Sequence, residues 1–252
     1  MIEKEDLRLR KKLVGPIPSP IRNFLFRHDC YIAGGAVRSV CADERIRDYD
    51  IYLKKDTDIQ DLISKFKLLT PDSSVDTELC KSFKIDGNTY QFITDVRMMI
   101  SSTQDIFNMF DYTVCMAAYS CRSEVFYFHD SFFADLSERR LVFNVGTLHP
   151  IASMFRSLKF IKRGYKLGAV EMIKIALSIQ RLHIASYAEL KHHLLGIDTL
   201  FLKDLTDTLG TFDEHGKKYD FDKAMEFINS FAEEQLSSID DGAFKPLTDI
   251  EG

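Results

Sequence analysis

Tryptophan is absent from this 252-residue chain, and none of its five cysteines forms a Cys-x-x-Cys pair. Cys30, Cys41, Cys80, Cys115 and Cys121 are odd in number and lack zinc-ligand spacing, which excludes a disulfide framework as the default and leaves reduced thiols. No apolar run approaches the roughly 20 residues of a membrane span, and Met1 to Lys12 is charged rather than signal-like. A soluble, cytoplasmic protein with no membrane partner is therefore expected. Positive charge is also short, since 33 Lys and Arg against 38 Asp and Glu leave a net charge of −5. No overall basic field draws the chain to nucleic acid, so any polynucleotide must be held by a local patch. Phenylalanine, in contrast, is abundant, and its strand and helix spacing marks most of it as core. Hydrophobic content of 45% and charged content of 28% are those of an ordinary globular protein, long enough for one large core or two modest ones.

Periodicity organises the chain. Glu3 to Lys12 reads as a charged helix broken by Gly15 to Pro20, and Ile21 to Phe26 as a second helix. Ile59 to Leu68 has helical spacing, with Asp56 or Thr57 as cap. Leu79 to Ile85 and Asn88 to Thr94 read as a hairpin closed near Asp86-Gly87-Asn88. Gln104 to Phe110 is a short helix, and Val114 to Tyr119, Glu124 to His129 and Arg140 to Phe143 are strands. From Pro150 the pattern turns helical, over Pro150 to Tyr165, Val170 to Gln180, Tyr187 to Leu195, Thr199 to Leu209 and Phe221 to Gln235. The expected organisation is an α+β domain over 1–147, a helical domain over 148–236 and an acidic, flexible tail over 237–252.

The most informative run is Tyr31-Ile32-Ala33-Gly34-Gly35-Ala36-Val37-Arg38-Ser39, followed by Arg47-Asp48-Tyr49-Asp50-Ile51-Tyr52-Leu53. Gly-Gly alone is a common turn, and Asp-x-Asp alone is usually a solvated strand end. In the order strand, Gly-Gly, helix, strand with Asp-x-Asp, they support one another. Residues i and i+2 of a strand point the same way, so Asp48 and Asp50 present both carboxylates on one face. Hard oxygen donors there suit Mg²⁺, which is commonly held by one or two carboxylates together with substrate phosphates. Gly34 and Gly35 let phosphate oxygens approach the backbone, and Arg38 offers a guanidinium one turn later.

Gly34-Gly35-Ala36-Val37-Arg38 with Asp48-Tyr49-Asp50 resembles the head signature of the polymerase-beta-type nucleotidyltransferases, closest to class II CCA-adding enzymes and bacterial poly(A) polymerases. Ser39 replaces the final Asp of that signature. Phe110-Asp111-Tyr112-Thr113-Val114-Cys115 is similar to the family's Arg-Arg-Asp-Phe-Thr-x-Asn ribose segment, with Met109 and Phe110 in place of the arginines and Cys115 in place of Asn. Asp111 would accept from a ribose hydroxyl or supply a further carboxylate to the metals; a plain helix N-cap is the alternative. Pro150 to Tyr165 is similar to the Glu-Asp-Pro-Leu-Arg helix, but His149 and Ala152 stand where the resemblance places the acid and arginine that read the base.

The third block also reads on its own. Ile151, Met154, Phe155, Leu158 and Ile161 share one helix face, and Arg156, Lys159, Arg163 and Lys166 form a cationic stripe beside it. Such a stripe suits phosphates or an RNA backbone. Where the family often carries a third carboxylate this chain has Gln91, a poorer Mg²⁺ ligand, and Asp95 lies at a strand end. His192 and His193 are adjacent on a helix and so form a poor metal pair. The resemblance implies a small mixed sheet with flanking helices and metal-dependent transfer of NMP from an NTP to a hydroxyl, foremost an RNA 3′ end. Two Mg²⁺ (or Mn²⁺) would sit on Asp48 and Asp50, and Gly34, Gly35, Arg38, Asp111, Arg156, Lys159 and Arg163 would bind nucleotide. Nucleotidylation of a small molecule or protein, or a degenerate binding module, are the alternatives.

Overall fold

The computed structural model describes residues 1–76, 80–194 and 218–238. Its centre is an eight-stranded mixed sheet of order β1-β8-β7-β2-β3-β6-β5-β4, formed by β1 (Ile2–Lys4), β2 (Tyr31–Ala33), β3 (Asp48–Tyr52), β4 (Ser73–Asp76), β5 (Cys80–Ile85), β6 (Asn88–Ile93), β7 (Ala117–Ser120) and β8 (Phe126–Phe128). Only β3 and β6 run parallel; every other neighbouring pair is antiparallel.

One face of the sheet carries α1 (Leu7–Val14), α2 (Ser19–Arg27), α3 (Gly35–Cys41) and α4 (Ile59–Lys67). Their apolar residues, Leu13, Ile21, Val37 and Phe66 among them, meet Ile32, Tyr49, Ile51 and Phe92 in a first core. The other face carries α5 (Thr103–Met109), α7 (Pro150–Ile161) and α8 (Ala169–Gln180), with Ala33, Tyr52, Phe107, Tyr112, Phe160 and Ile175 in a second core. Between α5 and α7 lie α6 (Phe132–Ser137) and β9 (Arg140–Leu141), which pairs in parallel with β10 (Lys166–Leu167). A third, smaller cluster joins Ala152 of α7 to Tyr187 and Leu190 of α9 (Tyr187–Leu194) and Ala224 of α10 (Phe221–Ser238). The fold is mixed α/β with helices after the sheet, as expected.

Several boundaries differ from the sequence reading. The charged start is not one helix: Ile2–Lys4 adds an edge strand beside β8, and α1 begins only after Asp6, whose carboxylate accepts from Arg8 N and Leu9 N at 3.0 Å. The cap of α4 is Asp58, whose Oδ1 takes the Asp61 N–H, rather than Asp56 or Thr57. The expected strand from Val114 opens instead as a 3-10 turn at Thr113–Cys115, because Thr113 N–H bonds Val142 O and its hydroxyl bonds Asp135. The β5–β6 hairpin turns through Asp86 (φ 49°) and Gly87 (φ 76°), the two left-handed residues that a tight hairpin asks for. Helix α7 stops at Ile161, short of Tyr165, and the chain reverses through Gly164 at φ 82°. Strand β4 and helix α6 carried no sequence expectation. The expected helix at Thr199 to Leu209 and nearly all of the acidic tail lie outside the described residues.

Candidate active site

Two acids on the central strand are the base of the site. Tyr49 and Ile51 of β3 are sealed in the first core and Tyr52 packs in the second, so the period of two turns Asp48 and Asp50 together toward the second-core face. Both are partly open to solvent. Strand β2 flanks them on one side, with Ala33 opposite Asp50, and β6 on the other, with Thr89 opposite Asp48 and Gln91 opposite Asp50. Burial and the adjacent Asp48 charge push the Asp50 carboxyl up to about 7, with Arg156 pulling the other way.

The glycines that follow β2 have different reasons. Gly34 sits at φ 67°, and a Cβ there would meet the Phe110 ring at 3.1 Å and lie 3.8 Å from Asp50 Oδ2. A left-handed backbone pressed on an aromatic ring leaves room for glycine alone. Gly35, the first residue of α3, has nothing within 4 Å of its Cβ position and faces open space. Phe110, at a position where the resemblance has arginine, is thus the floor under the Gly34 turn.

Asp111 and Arg156 complete the centre. Asp111 is 2% exposed, yet neither carboxylate oxygen accepts a hydrogen bond. Arg156 Nη1 lies 3.1 Å from its Oδ2, an ion pair without hydrogen-bond alignment, and this carboxylate is the main cause that raises the Arg156 pKa. The carboxylate caps no helix. Its loop is fixed by Asn144, whose Nδ2 bonds Phe110 O at 2.8 Å and Asn108 O at 3.1 Å while its N–H bonds Asp111 O at 2.8 Å. No motif in the sequence marked Asn144. The neighbours of Asp111 in its motif are structural: Tyr112 OH donates to Ser153 O of α7 at 2.9 Å, and Thr113 Oγ1 bonds Asp135 Oδ2 at 2.6 Å. Cys115 is buried beside this group, with burial and then Asp111 pushing its thiol up to about 12.

The other cations lie along α7 and under it. Arg38 is nearly buried, 3.6 Å from Glu44 and with its guanidinium 5.2 Å from the centre of the Phe160 ring. Arg163 approaches the same ring at 6.0 Å, and burial followed by the charges of Arg38 and Arg47 lowers its pKa. Lys159 is half-buried on α7 between Arg156 and Arg163. The structure therefore gathers Asp48, Asp50, Asp111, Gly34 and Arg156 at one place, with Arg38 and Arg163 converging on Phe160 a turn further along α7.

At the other end of α7, Ala152 is buried and His149 is the N-cap, without a capping bond from its ring. His149 lies 4.8 Å from His192 and 6.4 Å from His193 between ring centres, a cluster hidden from sequence by the 43-residue gap. Arg97 joins it, 3.0 Å from His192 Nε2. Burial, then the neighbouring histidines, hold His149 down at about 4. Asp95 is committed elsewhere: it caps the turn at Val96–Met98 and binds Arg97 through both oxygens.

Among the described residues, no group of three or more His, Cys, Asp or Glu is arranged to cage a metal alone. The donor set instead fits an ion shared with a ligand. Asp48 and Asp50 crowd one another, and the buried Asp111 oxygens have no donors, which is the imbalance a cation relieves. No described helix is long and apolar enough to cross a membrane.

Comparison with known proteins places this geometry. Residues 8–139 match the model of the Gad2 (Gabija anti-defense 2) family. A curated relative, Gabija anti-defense 2 of Bacillus phage SPbetaL7, is 30% identical over 193 residues, which is 75% of this chain and 46% of the relative. The chain thus spans about half the length of the curated relative it matches. Among solved structures, the CCA-adding enzyme in apo form I superposes with a TM-score of 0.56 at 16% identity, over 77% of this chain and 50% of that one. The Thermotoga maritima CCA-adding enzyme complexed with tRNA gives 0.55 at 15% identity, over 84% and 55%. The CTP complex of a CCA-adding enzyme gives 0.55 at 14% identity, over 92% and 54%. At these identities the likeness is one of fold.

Proposed function

The chain belongs to the Gabija anti-defense 2 family, and on that footing, with a nucleotidyltransferase-like fold, we propose that it transfers a nucleoside monophosphate from an NTP to a hydroxyl acceptor. The observation that carries this reading is the pair Asp48 and Asp50 on one face of β3, beside the Gly34 turn and facing Asp111 and Arg156. An acceptor oxygen attacks the α-phosphorus, the bond to the β-phosphate oxygen breaks, and pyrophosphate leaves. Asp48 and Asp50 would hold Mg²⁺ (or Mn²⁺), which when bound supplies activation of the attacking oxygen and neutralisation of the leaving phosphates. Asp111 receives a sugar hydroxyl or adds a third carboxylate, replacing the neutral Gln91 opposite Asp50. Arg156 balances the carboxylates and orients Asp111. Gly34 and Gly35 leave the triphosphate its approach, Arg38 adds charge from beneath, and Lys159 and Arg163 hold phosphates of nucleotide or acceptor.

The acceptor we favour is an RNA 3′ end, the chemistry of the fold's tRNA-bound neighbour. Because the family is named for countering Gabija, we take this transfer to be the means of that action. The buried Ala152 and His149, packed against the His192 ring, offer no base-reading pair, so discrimination among bases is expected to be loose. Labelled NTP incubated with RNA, protein and small-molecule fractions tests the reading. Label on RNA that disappears with Asp48→Asn plus Asp50→Asn supports it, whereas label that survives the double change refutes it. A second reading, a binding module without transfer, is favoured by Gln91 at the third-carboxylate register; NTP binding by calorimetry with no labelled product in any fraction would select it.

A further inference from the structure

Helix α8 is inside out. Of its two charged residues Glu171 turns inward, where it takes the Phe143 N–H at 2.7 Å, and half-buried Lys174 pairs with it at 2.8 Å. Only Ile175 is buried, while Val170, Met172, Ile173 and Leu177 stand 55 to 64% exposed. Every exposed residue of this helix is uncharged. Helix α7, which packs against it, adds Met154, Leu158 and Ile161 at 40 to 45% exposed, although these fall at core-like spacing. The reason is that α7 buries its small residues instead, Ser153 and Ser157 with Phe160 on the second-core side and Ala152 against α9 and α10; close approach of the backbones took the faces that large side chains had suggested.

Water-facing apolar patches on monomers rarely exceed a few hundred Å², and a standard interface takes roughly 800 Å² from each partner. Seven large aliphatic side chains exposed to this degree come to that order. We propose that the α7–α8 face is a twofold interface with a second copy of this chain. The exposed residues of α8 carry no charge and Lys174 beside them is paired with Glu171, so this helix meets its own image with little like-charge penalty, and stripes at i, i+3 and i+7 (Val170, Ile173, Leu177) are those with which antiparallel helices interlock.

Sedimentation velocity over a concentration series of the full chain tests this. The expected result is a reversible dimer that Ile173→Glu with Leu177→Glu weakens about a hundredfold, a usual cost at an interface centre. Should the double charge disturb folding, as judged by circular dichroism, Ile173→Gln with Leu177→Gln carries the same test. A monomer at every concentration overturns the proposal: unchanged stability in the variants would then assign the face to another protein, and lowered stability to a segment of the same chain. A dimer that both variants leave intact overturns it equally, since the contact must lie elsewhere.

Discussion

Two acids alike in burial, Asp135 and Asp111, are treated in opposite ways. Asp135 is fully buried and fully used: one oxygen takes Thr113 Oγ1 at 2.6 Å, the other takes Arg140 Nε at 3.0 Å and Nη2 at 2.6 Å. Burial alone would raise its pKa, but the bonds from Thr113, Arg140 and Ser131 outweigh it and hold the carboxyl below its ordinary range. Asp111 is equally hidden and accepts nothing, and Asp50 beside it is pushed up to about 7. A fold able to satisfy one acid so completely has left the other group short of positive charge. The difference separates a carboxylate that builds the molecule from carboxylates that await a ligand.

Removing the awaiting group should have the largest effect, and on chemistry alone. Asp48→Asn with Asp50→Asn is expected to lower labelled NMP incorporation by about a thousandfold or more. The same change should leave the circular dichroism spectrum of the folded chain intact, should not lower its Tm, and should abolish any rise in Tm on adding Mg²⁺ with NTP. Removing the satisfied acid should do the reverse. Asp135→Asn removes the charge that pairs with Arg140 and turns one of the two acceptor oxygens, those of Thr113 and Arg140, into an NH2 donor, and is expected to cost about 3 kcal/mol in urea unfolding. Its activity should fall only as the folded fraction falls.

A third change sets the two directly against each other. The proton on Asp50 stabilises the folded chain fully below the unfolded pKa of 3.8, and that contribution is lost as pH rises through about 7. At pH 8 in chelator, Asp50→Asn should therefore stabilise the protein, by on the order of 2 kcal/mol once partial solvent exposure discounts the full shift. An Asp50→Asn protein that is less stable there would break the comparison. His149 gives the smallest effect and the opposite slope. Its folded pKa of about 4 lies below the unfolded 6.5, so its contribution is complete above 6.5 and is lost as pH falls toward 4. Unfolding at pH 5 and pH 7 should show roughly 1 kcal/mol of this dependence, allowing for exposure, and His149→Gln should flatten it.

The acids and glycines were legible because their logic is local. A strand's period of two puts Asp48 and Asp50 together wherever the strand ends up, and a Gly-Gly after an apolar run marks a turn in any fold. The reason for Gly34 was not legible, since the Phe110 ring that presses on it arrives 76 residues later. Asn144 and the histidine cluster were hidden in the same way: each joins segments that only tertiary packing brings together. On α7 the pattern showed two faces but not which one would be buried. Large aliphatics announce themselves, whereas Ala152, Ser153 and Ser157 signal a tight contact only when the surface they fit is known.

The order of strands in the sheet has a consequence for synthesis. Strand β2 is hydrogen-bonded on one side to β7, and β1 to β8, so these two pairings close over long stretches of the first half of the chain. As the polypeptide leaves the ribosome, Asp48 and Asp50 emerge long before β7 can close on the far side of β2, and longer still before Arg156 arrives to offset their charge. Nascent chains halted before residue 128 should remain protease-sensitive throughout, since such long-range closures come late in folding. The candidate site is then the last part of the sheet domain to acquire its walls.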